Sequence, residues 1–262
     1  MQPVYYLFPN GGREAVTFSY DDGRAEDRRL VEVFNRFGMK GTFHLNTGTL
    51  GAPGYLTAEE CSAIFEGHEI AAHSVSHPFL SQQPAEASMT QLIEDRARLE
   101  DMAGYPVRGF SYPFGDFGGG APALLKAAGF DYARTVNATD GVLFPDDFML
   151  WGPSCHHKNT EAAMRMFTRK RSWKQLRLLY IWGHSFEFED DGWGLIEDIC
   201  GRLNEMPGLW RAANGEIFDY VTAMRSMRWS VDGSMAFNPS HLDVLIEKDG
   251  AAVALKPGLN RL

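Results

Sequence analysis

Along residues 1–227, segments with strand-like spacing of apolar residues alternate with segments of helix-like spacing. Residues 15–18 form an apolar run, which predicts a buried strand. After a polar turn, the next apolar side chains follow helical spacing: Leu30, Val31, Val33, Phe34 and Phe37. Gly38 follows them and is placed to end that helix. This first segment is therefore predicted to be one strand followed by one helix.

The same alternation recurs further along the chain. We predict strands over residues 40–46, 68–73, 107–112, 131–136, 148–153, 176–182 and 209–213. We predict helices over residues 84–104, 122–128, 161–168, 193–203 and 216–227, and one more that starts at a capping box between Thr57 and Glu60. Strands that alternate with helices indicate a parallel α/β sheet, and seven or eight such units close most naturally into a barrel.

The pattern changes after residue 227. Asp232–Gly233 and Asp249–Gly250 each lie between alternating residues, which is typical of β-hairpins. We therefore predict a barrel over residues 1–227 and a small C-terminal antiparallel β appendage over residues 228–262, packed on the barrel.

Composition excludes several classes of partner. The chain has 262 residues, 44% of them hydrophobic, which is enough for a sizeable core, yet no run approaches the ~20 apolar residues of a membrane helix. For that reason we expect no membrane partner. The net charge of −9 would repel a phosphate backbone, so we also expect no nucleic-acid partner. Three cysteines and no visible signal peptide favour a cytoplasmic location. The oligomeric state stays open.

Four polar stretches follow predicted strands, at residues 21–23 (DDG), 73–77 (HSVSH), 111–115 (SYPFG) and 183–185 (GHS). In a parallel barrel these loops share one face. Two histidines at i and i+4 can face one metal if their segment turns helically, and one aspartate completes a set that leaves positions open for water and substrate. Each stretch alone also fits an ordinary loop or turn, but four at strand ends favour an active site.

The adjacent Asp21 and Asp22 raise each other's pKa unless a cation lies near them or a turn points them apart. Together with the other three stretches they resemble the motifs of the polysaccharide deacetylase family, which has the NodB homology domain and forms carbohydrate esterase family 4. The family motifs TFDDG, H-[ST]-x-x-H and R-x-[FY]-R-P-P-Y-G have counterparts here in TFSYDDG, HSVSH and RGFSYPFG, and a later strand ends in His184. The resemblance implies a distorted (β/α)7-type barrel, which agrees with the strand count.

The resemblance also implies roles for individual residues. Asp22, His73 and His77 would bind one divalent metal, with Zn²⁺ the first choice and Co²⁺, Ni²⁺ or Mn²⁺ accepted by the same ligands. Asp21 would be the general base, and His184 the general acid. The backbone N–H of Phe114 would help to hold the oxyanion. The implied reaction is the hydrolytic removal of acetyl groups from N-acetylated sugars or polysaccharide.

One departure from the family pattern concerns the arginine that holds the catalytic base. Ser111 occupies that position here, so either Arg108 or another cationic side chain must take over. The Tyr-Pro-Phe-Gly loop also resembles ring-amide hydrolases such as allantoinase-like proteins. A hydrolase of another small amide, such as a cyclic ureide, is therefore one alternative, and a non-catalytic carbohydrate-binding relative is another.

Four further side chains are candidates for contact with substrate, namely Tyr112, Trp182, Glu187 and His156. Glu187 could also orient His184. His156 and His157 follow a predicted strand, but adjacent side chains of a strand face opposite ways, so the pair is awkward as a metal site.

Overall fold

A curved parallel sheet lies at the centre of the computed structural model, which describes residues 3–139, 141–169 and 174–262. Its strands are β2 Glu14–Asp21, β3 Gly41–Leu45, β4 Glu69–Ala72, β5 Gly109–Ser111, β6 Tyr132–Arg134, β7 Cys155–His156, β8 Arg177–Gly183 and β9 Trp210–Arg211. The strand order is β6-β5-β4-β3-β2-β8-β7, and the short β9 pairs with the start of β2. This arrangement confirms the distorted (β/α)7-type barrel.

Helices connect the strands, as parallel pairing requires. They are α1 Asp27–Phe37, α2 Ala58–Ile64, α3 Ala85–Ala103, α4 Ala121–Ala127, α5 Thr160–Thr168, α6 Phe188–Asp191, α7 Gly194–Asn204 and α8 Asn214–Ser226. The capping box before α2 is confirmed, because Glu60 accepts a hydrogen bond of 2.9 Å from the Thr57 backbone N–H. Gly38 ends α1 with φ 63°, as predicted.

One predicted strand is wrong. Phe148–Leu150 forms a single 3-10 turn, and only Trp151 pairs with Arg134 before the strand β7 begins at Cys155. The apolar side chains that suggested a strand are used for packing: Phe148 lies edge-on to the ring of Trp151, with ring centroids 4.9 Å apart. Burial of aromatic surface here replaces a ladder of backbone hydrogen bonds.

The core lies between the sheet and its helices. Strand β2 is buried from Ala15 onward, and the apolar face of α1 packs on it, with the rings of Phe18 and Phe34 4.7 Å apart. A strand buried on both faces needs continuous apolar sequence, which explains why residues 15–18 do not alternate. No helix in the described part of the chain is long and apolar enough to cross a membrane.

The C-terminal residues form two small antiparallel sheets from β10 Arg228–Trp229, β11 Met235–Asn238, β12 Val244–Lys248, β13 Ala251–Leu255 and β14 Gly258–Arg261. Both predicted hairpins are present, β10 with β11 and β12 with β13. Strand β1, Tyr5–Tyr6, pairs with β12, so residues from the start of the chain complete one of the two sheets. The division into two domains at residue 227 stays a prediction.

Candidate active site

Two adjacent carboxylates open the site at the carboxyl end of β2. Asp21 is the last residue of the strand and is buried, whereas Asp22 is half-buried and has φ 83°. Adjacent side chains of a regular strand would point to opposite faces. The left-handed backbone of Asp22, a conformation that aspartate tolerates better than most residues, breaks this alternation and keeps both carboxylates in the site.

His73 and His77 face Asp22 from the loop that follows β4. The Nε2 atoms of His73 and His77 lie 3.7 Å and 3.9 Å from Oδ1 of Asp22, and one donor atom from each of the three residues lies within 4.8 Å of the others. The segment between the two histidines does not turn helically. Positive φ angles at Ser74 (69°) and His77 (55°) bring the two rings together instead.

The hydrogen bonds of His73 fit a metal ligand. Its Nδ1 lies 2.7 Å from the backbone carbonyl of Ser111, which can only accept, so Nδ1 carries the hydrogen and Nε2 keeps a lone pair. Burial lowers the pKa of His73 to about 3, which keeps the ring neutral. Burial and the neighbouring Asp21 raise the pKa of Asp22, so the ionised form of this carboxyl is disfavoured. A bound cation would stabilise the ionised form and offset this effect. The donor set therefore fits a divalent metal.

Asp95 of α3 fixes the loop that carries these histidines. Its carboxylate accepts hydrogen bonds from the backbone N–H groups of Thr47 (2.9 Å) and His73 (3.1 Å). The amide of Asn46 donates to the carbonyl oxygen of Ser74 at 2.9 Å. These buried contacts hold the strained backbone in place, as positive φ angles at non-glycine residues require.

Arg134 supplies the positive charge beside Asp21 that the family pattern would place at the position of Ser111. It is fully buried at the end of β6, and its guanidinium donates to Oδ2 of Asp21. Ser111 and Arg134 are register partners on adjacent strands, and the Ser111 hydroxyl lies 3.2 Å from Oδ1 of Asp21. Burial opposes ionisation of Asp21, yet Arg134 and His73 hold the pKa of Asp21 well below its usual range.

The other candidate cation, Arg108, does not reach Asp21. Its guanidinium makes two hydrogen bonds, of 3.0 Å and 2.6 Å, to the carboxylate of Asp219 and a further one to Asp131. It lies at the start of β5, whereas Asp21 lies beside the carboxyl end of that strand. Arg108 therefore joins α8 to the sheet.

His184 follows β8 on the same rim. Its Nδ1 lies 3.3 Å from Oε2 of Glu187, and its backbone N–H donates to the same oxygen at 3.0 Å. Burial lowers the pKa of His184, but the hydrogen bond that its ring donates to Glu187 and the charges of Asp21 and Asp22 outweigh this effect, so the net shift of the pKa is upward. A histidine whose protonated form is favoured suits proton donation.

Phe114 lies against His77 and has φ 57°, a strained conformation for a bulky residue. Its ring is edge-on to His77, with centroids 4.3 Å apart, and stacks on Phe79 at 4.0 Å. The rings of Phe79 and Phe114 are exposed. The next residue must be glycine, because a Cβ at Gly115 would lie 2.2 Å from a methyl carbon of Val136.

The four residues that are candidates for contact with substrate differ in their exposure and in their contacts. Tyr112 is buried and its hydroxyl donates to the carbonyl of Met149 at 3.0 Å, which leaves no exposed surface to meet a substrate. Trp182 packs under the guanidinium of Arg134, 4.4 Å from its ring centroid. Glu187 and His156 are half-buried, and His156 Nε2 lies 3.1 Å from Oε2 of Glu187.

A family model described as polysaccharide deacetylase matches residues 9–133. Residues 9–133 are thus similar to the polysaccharide deacetylase family, which confirms the resemblance. The peptidoglycan-N-acetylglucosamine deacetylase PgdA of Listeria monocytogenes is 25% identical over 103 residues, 38% of this chain and 21% of that protein. The chain thus spans about a fifth of the length of the curated relatives it matches.

Solved structures share the fold over most of the chain. A Mycobacterium smegmatis protein assigned to the polysaccharide deacetylases has a TM-score of 0.62 at 17% identity, over 86% of this chain and 96% of that one. The Xyl-CE4 domain of a xylanase from the hindgut metagenome of Trinervitermes trinervoides has a TM-score of 0.57 at 17% identity, over 80% and 92%. A mutant of the peptidoglycan deacetylase PdaC from Bacillus subtilis has a TM-score of 0.53 at 15% identity, over 81% and 93%.

Proposed function

We propose that the chain is a metal-dependent deacetylase of N-acetylated sugars or polysaccharide. The observation that carries the proposal is the trio Asp22, His73 and His77, whose donor atoms converge beside a second, ionised carboxylate, Asp21. Zn²⁺ is the first choice, and Co²⁺, Ni²⁺ or Mn²⁺ would also suit two imidazoles and one carboxylate. A bound divalent ion would polarise the acetamide carbonyl and make a nearby water more acidic.

Asp21 is suited to act as the general base. It is ionised, and its Oδ2 lies 3.8 Å from Nε2 of His73, so it borders the ligand set. A proton taken from the attacking water would move onto this carboxylate, while Arg134 keeps the carboxylate oriented through the hydrogen bond to Oδ2. The Arg134 contact also explains why a buried acid can stay charged before it takes a proton.

His184 is suited to act as the general acid. Collapse of the tetrahedral intermediate breaks the C–N bond, and the amine nitrogen must receive a proton because an amide nitrogen leaves poorly as an anion. The Nδ1 side of the His184 ring faces Glu187, which leaves Nε2 as the ring atom able to give that proton. In this scheme the backbone N–H of Phe114 would help to hold the oxyanion.

A carbohydrate substrate is supported by the exposed rings of Phe79 and Phe114, which border His77. Aromatic faces of this kind suit stacking on the apolar face of a sugar ring. The family match over residues 9–133 does not favour the cyclic-ureide hydrolase or the non-catalytic carbohydrate binder. The cytoplasmic location stays a prediction.

The proposed function is tested by measuring product release from a matched panel of substrates. The metal-loaded protein should release acetate from N-acetylated glucosamine oligosaccharides, and longer oligosaccharides should react faster if the aromatic rings contact neighbouring sugars. Ring opening of allantoin without acetate release would favour the ureide hydrolase. Glycan binding without release of any product would favour the binding protein.

A further inference from the structure

A second group of two histidines and one carboxylate lies beside the first. It consists of His156, His157 and Glu187, and one donor atom from each lies within 4.8 Å of the others. In residue types it matches Asp22, His73 and His77. The hydrogen bonds around the two groups, however, differ in where they place the ring protons, and this difference decides what each group can do.

In the second group the ring proton of His156 occupies the atom that would have to bind a metal. The backbone N–H of Lys158 donates to Nδ1 of His156 at 3.3 Å, so Nδ1 is an acceptor and the hydrogen of the neutral ring is on Nε2. Nε2 in turn lies 3.1 Å from Oε2 of Glu187, at donor distance. A protonated nitrogen has no lone pair for a metal, in contrast to Nε2 of His73.

A cationic side chain already pairs with the carboxylate of this group and with a neighbouring carboxylate. The ammonium of Lys158 lies 3.2 Å from Oε1 of Glu187 and 3.2 Å from Oδ2 of Asp191. A metal ion would have to displace it. The ring of His157 is buried and stacks on Phe188 with centroids 4.4 Å apart.

The packing space for His157 depends on a glycine in β8. A Cβ at Gly183 would lie 2.1 Å from Nδ1 of His157, so the strand leaves room for this ring just before His184.

Oε2 of Glu187 is shared by His156 and His184. It accepts from the backbone N–H of His184 at 3.0 Å and lies 3.3 Å from Nδ1 of that ring, while His156 donates to it from the other side. Without the donor on His156, the carboxylate would keep the backbone N–H of His184 and the ammonium of Lys158 as partners, and Lys158 would draw it away from the His184 ring. His156 is therefore placed to restrain the His184 ring through Glu187.

We propose that His156 is a positioning residue for deacetylation: it holds Glu187 so that Glu187 fixes His184 with its proton-donating Nε2 toward the substrate, and it binds no second metal. The proposal rests on the proposed function, because it assigns a purpose to His156 only if His184 is the acid. Burial raises the pKa of Glu187, but the hydrogen bonds from His156 and His184 outweigh it and keep the carboxylate ionised.

The test compares His156→Gln with His156→Leu. Glutamine keeps an N–H that can donate to Glu187, whereas leucine has a comparable size and no donor. On an N-acetylated oligosaccharide we expect kcat of His156→Leu to fall about tenfold or more, and His156→Gln to regain most of that loss. On an aryl acetate, whose leaving group needs no proton, the loss in His156→Leu should be much smaller. Metal content should equal that of the parent in both variants.

Three results would overturn the proposal. These are equal losses on amide and ester in His156→Leu, no loss on the amide, and a fall in bound metal per chain relative to the parent. Failure of the proposed function has a different signature, because it is seen in the parent protein itself. The parent would then bind no metal or release no acetate, or His184→Ala would lose amide and ester activity equally.

Discussion

Arg134 donates a hydrogen bond to Asp21 from the strand next to the one that carries Ser111. Ser111 and Arg134 are register partners, so the two positions lie side by side at the same level of the sheet. The positive charge that the family motif carries on β5 has therefore moved one strand over, onto β6.

Replacing Arg134 by methionine should raise the pKa of Asp21, because burial then acts without its main opposing charge. Asp21 must be ionised to take a proton. We therefore expect the parent to keep its activity to lower pH than the variant, which should lose activity as the pH falls through a higher range. The measurement is the dependence of kcat/KM on pH. If the variant loses activity at the same low pH as the parent, the role assigned to Arg134 is contradicted.

A second variant separates lost charge from lost stability, because breaking a buried ion pair costs about 3–5 kcal/mol. Arg134→Ser combined with Ser111→Arg returns the cation to the family position. This double variant should recover activity that Arg134→Ser alone lacks. A double variant that folds but stays as inactive as the single one would show that β6 is required for a reason other than charge.

Replacing Asp21 by asparagine should abolish most turnover and leave metal binding intact. General base catalysis typically contributes about 10²–10⁴ in rate, so we expect a loss of kcat in that range. Metal analysis and acetate release on the same preparation check both statements. Turnover close to the parental value would mean that another group takes the proton from water.

Replacing His184 by alanine should reduce kcat on an N-acetylated sugar far more than on an aryl acetate. The amine must be protonated as it leaves, whereas an acidic phenol departs unaided. In the parent, the raised pKa of His184 keeps the acid protonated to higher pH, so amide hydrolysis should fall as the pH rises through that pKa. Equal losses on both substrates would assign His184 to structure or binding.

Replacing Phe79 by alanine should raise KM for oligosaccharides and change kcat little, because its ring stacks on the exposed ring of Phe114 at the rim. Phe237→Ala is a matched control, since both rings are 42% exposed and Phe237 lies on β11. Loss of one stacking contact, worth about 1 kcal/mol, corresponds to a few-fold change in KM. Equal effects of the two variants would contradict an aromatic subsite.

Periodicity predicts most of the sheet because strands such as β2 and β8 are long and buried, and their apolar runs are bounded by clear turns. The prediction is wrong at residues 148–153, where Phe148 and Trp151 pack as aromatic residues and form no strand. A short apolar run in a sequence is compatible either with a strand or with a turn whose side chains are buried. The pairing of β1 with β12 joins residues more than 230 positions apart, a distance at which local patterns carry no information.

The motifs located the residues of the candidate site, but Arg134 was missed. A predicted strand that ends in arginine was a usable signal, because a charge at the end of a buried strand needs a partner. The backbone conformations at Asp22 and His77 could not be predicted. They depend on contacts such as those of Asp95 and Asn46, which come from other elements.

The most direct test of the central claim is acetate release before and after metal removal. The protein is treated with a chelator, its metal content is measured, and N-acetylated oligosaccharide is added with and without one equivalent of Zn²⁺ per chain. The account predicts no acetate from the metal-free protein, recovery with Zn²⁺, and no recovery for an Asp22→Asn, His77→Ala variant that folds normally. Undiminished acetate release from the metal-free protein would contradict it.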